Sequence, residues 1–192
     1  MRLPKHKAAG LLSLVGRTPL VEIKPDPPLP AGVRLLAKLE SLNPGGSIKD
    51  RPASRIVTRA LLEGQLDSGR SLLDSSSGNA GIAYALFGAA YGVAVTLVIP
   101  GNASRERLER IAAHGARIIT TDPIEGYDFA IKEAQRLARE RPDRYWYADQ
   151  YGNDNNWLAH YETTGVVIAA QTRERTGAPP DAFVCGVGTG GT

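Results

Sequence analysis

One lysine of this chain stands where its charge is least welcome. In KLESLNPGGSIKDRPA, Lys38 to Ala53, an Asn-Pro-Gly-Gly turn runs straight into a helix start, and Lys49 follows a serine of capping type, Ser47. A helix N-terminus carries roughly half a positive charge. An ammonium there is disfavoured, so the pKa of Lys49 is expected to fall. A neutral amine is a nucleophile that condenses with a carbonyl to give a Schiff base. Gly45 and Gly46 are expected to let the backbone approach a flat ligand. Taken alone, Lys49 reads more readily as a side chain that snorkels to solvent, because lysines near helix starts are common.

Two further loops change that balance. SSSGNAG, Ser75 to Gly81, follows an apolar run and opens a helical one. Its hydroxyls and backbone N–H groups make an anion cradle fit for a carboxylate, and the Asn79 amide can donate to an oxygen. By itself the run also reads as an ordinary N-cap cluster. CGVGTGGT, Cys185 to Thr192, formally satisfies the dinucleotide fingerprint through Gly186, Gly188 and Gly191. No helix and no acidic partner follow it, so a single phosphate suits these glycines and threonines as well as a dinucleotide. The three loops together describe pyridoxal phosphate: an aldehyde held covalently by Lys49, anchored through its phosphate, beside a site for an amino-acid carboxylate.

The elements that must position these loops alternate in type. Strands are expected at Val21 to Ile23, Val33 to Glu40, Ser71 to Asp74, Val93 to Ile99, Arg117 to Thr120, Tyr145 to Ala148 and Ala182 to Cys185. Between them lie helical patterns: one starting between Ser47 and Pro52 and ending at Gly64, then Gly81 to Ala90, Ser104 to His114, Tyr127 to Glu140, and Trp157 to about Arg173. Val93 to Ile99 is apolar except for Thr96, as in a parallel strand covered on both faces. Repeated βα units predict an α/β fold with a parallel sheet and right-handed crossovers. Ligands then bind beyond the carboxyl ends of strands, at helix N-termini, where the three loops stand.

Composition narrows the alternatives. With 192 residues, 23 basic against 20 acidic groups and a net charge of +3, the chain has no dominant charge, and its densest basic run, SRERLER, interleaves two glutamates. That run reads as a solvated helix face, and 6% aromatic content offers no stacking platform, so no nucleic-acid partner is expected. No apolar run reaches membrane-spanning length. The single cysteine, Cys185, excludes a disulfide framework, suits a reducing cytoplasm, and is expected to be a small buried hydrophobe. His6, His114 and His160 have no metal-ligand spacing, so no metal is expected. His160 is expected on the surface or in helix packing, and Trp146 and Trp157 in packing.

GRTPL, KLESLNPGGSIKDRPA, SSSGNAG, ADQYGNDNN with HYETTG, and GVGTGGT occur in the order found in the cysteine synthase and cystathionine β-synthase family. The chain resembles these fold type II, tryptophan-synthase-β-like pyridoxal-phosphate enzymes over essentially its whole length. The resemblance implies a three-layer parallel-sheet fold with a small mobile lobe at 43–153 and part of a larger lobe at 1–42 and 154–192. It implies that Lys49 forms the Schiff base and moves the α-proton. Asn79 would bond the ring hydroxyl oxygen, and Gly188, Thr189, Gly190, Gly191 and Thr192 would hold the phosphate. Ser76, Ser77, Gly78 and Gln150 would bind the substrate α-carboxylate.

The implied reaction is β-replacement on O-acetylserine or O-phosphoserine, with sulfide or another thiol as nucleophile, in a homodimer. Related enzymes use homocysteine, as cystathionine β-synthase does, or glutamate, as the 2,3-diaminopropionate-pathway synthases do. An inert fragment acting as a binding module is a further alternative. Two departures stand out. Ala80 occupies a position that is usually threonine, which bears on donor specificity. Family members also run well past the phosphate loop, whereas this sequence stops at Thr192, so it is expected to lack the helix after that loop and the hydroxyl that meets the pyridine nitrogen.

Overall fold

In a computed structural model, the protein is described over residues 9–66 and 69–192; His6 lies outside the described residues. After a short helix α1 (Ala9–Leu12) come β1 (Leu20–Ile23) and β2 (Leu35–Lys38). These pair antiparallel, with Leu20 opposite Lys38. They depart from the parallel βα pattern because no helix separates them, only a proline-rich loop, and strands joined without a crossover run antiparallel. The strand expected over Val33 to Glu40 is shorter than that, because Glu40–Leu42 turns into a 3-10 helix.

The remaining elements are α2 (Asp50–Leu62), β3 (Ser71–Asp74), α3 (Asn79–Tyr91), β4 (Val95–Pro100), α4 (Arg105–Ala113), β5 (Arg117–Thr121), α5 (Gly126–Glu140) and β6 (Tyr145–Tyr147). Pro52 sits in the first turn of α2, where its missing N–H leaves no helical bond unmade. The four strands β3 to β6 form one parallel sheet in the order β5-β4-β3-β6. Alternate residues point to opposite faces. Leu72 and Leu97 join one core cluster with Ile56, Val57, Tyr84 and Phe87 from α2 and α3. Leu73 and Val98 join another with Ala130 and Ala134 of α5. Helices therefore cover both faces, as the run Val95–Pro100, apolar except for Thr96, requires, and all six of its residues are buried. The fold is the three-layer α/β arrangement expected.

The strand order reverses at β3, since β4 and β5 build outward on one side and β6 pairs on the other. Such a switch point opens a crevice at the carboxyl ends of the two central strands. Asp74 ends β3 there, and the chain leaves β6 toward Gln150 at the same place.

The last helical stretch is not uniform. α6 (Asn155–Ala159) passes through a π-helical turn, His160–Thr164, into α7 (Gly165–Thr176). The expected strand Ala182 to Cys185 does not form. Phe183 and Val184 are exposed, and this segment has no strand partner among the described residues. A strand's N–H and C=O groups need a neighbour, so its apolar residues alone do not make it extended.

Candidate functional site

All eleven residues singled out from the sequence line one cleft of about 780 Å³. Lys49 is the N-cap of α2, and its Nζ donates to Thr189 Oγ1 at 3.1 Å, across 140 positions of sequence. Burial lowers the pKa of Lys49, and the α2 N-terminus disfavours the cation in the same direction. The glycine turn that delivers the lysine works differently from expectation. Gly46 has φ +85°, the left-handed region, while Gly45 donates its N–H to the Asp50 carboxylate. A Cβ at Gly45 would lie 2.4 Å from Asp50 Oδ1. Gly45 thus makes room for Asp50 of its own chain.

Ser76, Ser77, Gly78, Asn79 and Ala80 form the opposite wall, at the N-terminus of α3. The N-cap residue, Gly78, has no side chain to cap with. Ser76 substitutes for it, because its Oγ accepts the N–H groups of Gly81 at 3.1 Å and Gly78 at 3.3 Å. Gly81 is obligatory in that turn, since a Cβ there would stand 2.2 Å from the Ser76 carbonyl oxygen.

The glycine–threonine loop closes the site. Asn156 Nδ2 donates to Thr189 Oγ1 at 3.0 Å and to the Gln150 carbonyl at 2.9 Å, tying this loop to the end of β6. A Cβ on Gly191 would lie 2.6 Å from Asn156 Oδ1, so the loop packs directly on that amide. Thr192 Oγ1 is 3.4 Å from His160 Nε2, and His160 Nδ1 is 2.9 Å from Thr164 Oγ1. His160 is therefore a buried packing residue and not a surface one, and burial drops its pKa to about 4. Cys185 was expected inside a strand; it is exposed at the rim of the cleft, because the strand that would have buried it is absent. Trp146 packs against the core as expected, whereas Trp157 is 46% exposed, meets Tyr161 edge-on and donates its indole N–H to the Asp154 carboxylate at 3.1 Å.

Sequence reasoning passed over Asn156, Arg107, Tyr127 and Tyr151. The last three line the cleft, and the Tyr127 hydroxyl donates to the Ser75 carbonyl. Asn156 had a signal in the polar run GNDNN ahead of a helix; Arg107 was hidden inside a run that reads as solvated surface. Behind Lys49, Arg51 is buried and bonds Glu40 twice, at 2.7 and 2.8 Å, and Thr163 of the π-helical turn at 3.1 Å. Burial works against the Glu40 carboxylate, yet Arg51, Thr18 and Asn43 hold its pKa below the usual value.

The donor set suits a phosphorylated aromatic aldehyde: a half-buried amine of lowered pKa, a side-chain amide, and a glycine loop bearing hydroxyls. Gln150 Oε1, buried in the cleft wall, has no hydrogen-bond partner among the described residues, a polar atom left for a ligand to satisfy. The sequence matches the family described as "Pyridoxal-phosphate dependent enzyme" over residues 11–192. The chain belongs to this family. Among its relatives, the cysteine synthase of Aquifex aeolicus is 48% identical over 192 residues, 98% of this chain and 58% of the relative. The crystal structure of cysteine synthase from Entamoeba histolytica superposes with TM-score 0.85 at 36% identity, covering all of this chain and 56% of that one. O-ureido-L-serine synthase superposes with TM-score 0.85 at 35% identity, covering 94% of this chain and 55% of that one. The chain thus spans somewhat more than half the length of these pyridoxal-phosphate family members. Among the described residues no helix is long and apolar enough to cross a membrane, and no group of three His, Cys, Asp or Glu residues could hold a metal ion.

Proposed function

We propose that this chain carries the lysine-bearing half of a cysteine synthase, which replaces the β-substituent of O-acetylserine or O-phosphoserine by sulfide to give L-cysteine. The observation that carries the reading is the 3.1 Å contact between Lys49 Nζ and Thr189 Oγ1, which joins the amine to the glycine–threonine loop inside one cleft. Pyridoxal phosphate, when bound, supplies an electron sink for the charge left on the substrate Cα after deprotonation. Lys49 would be the residue that holds the cofactor through its amine, and that amine would take the α-proton. Asn79 donates to the ring hydroxyl oxygen. Gly188, Thr189, Gly190, Gly191 and Thr192 receive the phosphate, with Asn156 and His160 fixing the two threonines from behind. Ser76, Ser77, Gly78 and Gln150 would orient the α-carboxylate of the substrate.

A second nucleophile is favoured by one observation, the likeness to O-ureido-L-serine synthase, whose product is not a thiol amino acid. Ala80 removes one hydroxyl from the substrate turn, which bears on the choice of donor. We also propose that 43–153 moves as a small lobe over a larger one formed by 1–42 and 154–192, that the complete enzyme is a homodimer, and that it works in the cytoplasm.

The test starts from the protein mixed with pyridoxal phosphate, reduced with borohydride and digested. The adduct is expected on Lys49 and is expected to vanish in Lys49→Ala. With O-acetylserine and sulfide the unreduced protein is expected to release L-cysteine. An adduct on another lysine, or on none, overturns the assignment; an adduct on Lys49 without turnover of any serine donor leaves a binding module.

A further inference from the structure

Asp74 is the last residue of β3, at the switch point of the sheet, and only 3% exposed. It does not line the cleft, yet both loops beside it do. Its Oδ1 accepts the Ser75 N–H at 2.8 Å, and its Oδ2 accepts the Gln150 N–H at 3.2 Å. Tyr84 of α3 stands close enough to the same carboxyl to influence its charge. On the other side of Ser75, the carbonyl accepts the Tyr127 hydroxyl of α5. The wall segment that continues β3 and the one that follows its neighbour β6 are therefore pinned to one carboxyl group, with Gln150 lying 76 positions from Asp74 in sequence.

We propose that Asp74 is a positioning residue that holds the Ser75–Gly78 turn and Gln150 in one register, so that their donors converge on the substrate α-carboxylate. The inference rests on the reading above, in which those residues bind that carboxylate. The chemistry at this point is specific. Both oxygens of the Asp74 carboxyl act as acceptors here, and each backbone amide offers only a donor. Asparagine, the same size, would turn an NH₂ group toward one of the two amides and release that loop. Stability does not explain the group, because burial pushes its pKa up to about 7 against the pull of the two amides and Tyr84. A buried carboxyl kept at such a cost, one residue from a ligand loop, points to function over packing.

The clamp is testable with L-methionine and its carboxamide as inert probes, bound to the pyridoxal-phosphate-loaded protein and followed by the shift of the cofactor band. The wild type is expected to prefer methionine. In Asp74→Asn the preference is expected to collapse through a loss of about tenfold or more in methionine affinity, the scale of a lost charge-assisted contact. Carboxamide affinity should change by less than about twofold, within the spread of unrelated surface changes. Equal losses for both probes mean that Asp74 only stabilises the fold, and no loss means that it positions nothing; either overturns the clamp. A wild type that holds the cofactor but does not prefer methionine removes the carboxylate site, and the clamp with it. Should Asp74→Asn not fold, amide hydrogen exchange in the wild type decides. The Ser75 and Gln150 amides are expected to be protected to a common degree and to lose protection together; exchange at free-loop rates overturns the proposal.

Discussion

At the scale of single residues, burial sets the chemistry of this site more than charge pairing does. Lys49 has its pKa lowered by desolvation, and among the described residues its amine meets no acidic side chain and donates to a threonine hydroxyl. His160 is neutral for the same reason, with the nearby cations Lys49 and Arg51 adding to the effect of burial. Between the ordinary histidine value of 6.5 and the folded value of about 4, the unfolded chain binds a proton that the native state refuses. Stability therefore falls as pH drops through that window, by at most about 3 kcal/mol. His160→Gln is expected to remove this part of the acid slope. Urea midpoints of both proteins at pH 7 and pH 5 measure it, and equal slopes would show that His160 titrates normally.

At the scale of elements, the site depends on where helices begin. The α2 N-terminus presents Lys49 toward the cleft and Arg51 away from it, into a buried pair with Glu40 and a bond to the π-helical turn. A π-helical turn adds one residue to the repeat and re-aims the side chains that follow, and such turns gather at functional positions. Here it sets His160 beneath Thr192 and Thr163 beside Arg51. Replacing Arg51 with methionine leaves Glu40 buried without its cation and is expected to cost about 3–5 kcal/mol, read as a drop in the urea midpoint. Removing both charges, as Arg51→Met with Glu40→Leu, should restore much of that loss, because two apolar groups leave no unpaired charge. A double variant no more stable than the single one would locate the effect in packing instead.

At the scale of the whole molecule, the chain has a closed side and an open one. The four-stranded sheet is covered on both faces, whereas α7 and the segment after it leave apolar side chains in solvent. Val166, Phe183, Val184 and Val187 are 56–91% exposed, and Tyr161 is 74% exposed. Exposed apolar side chains gathered in one part of the chain favour association. The 192-residue chain by itself is expected to bind a hydrophobic dye such as ANS while retaining cooperative unfolding, and to self-associate as concentration rises. Replacing Val184 and Val187 with serine should weaken both signals; dye binding that survives unchanged would place the open surface elsewhere.

Much of this was legible in the residues themselves. The period of the apolar pattern fixed the βα order, the run of β4, apolar except for Thr96, marked a strand covered twice, and Lys49, SSSGN and GVGTGGT marked a site, because turn chemistry and helix starts are local properties. Other features had no local signal. Asp74 reads as the polar end of a strand, Asn156 as one asparagine among several, and Arg51 as a surface cation, until the fold brings their partners from 76, 33 and 112 positions away. The segment Ala182 to Cys185 fails in the opposite sense: its composition is that of a strand, but a strand is a relation between two chain segments, and only the tertiary structure decides whether the second one is there.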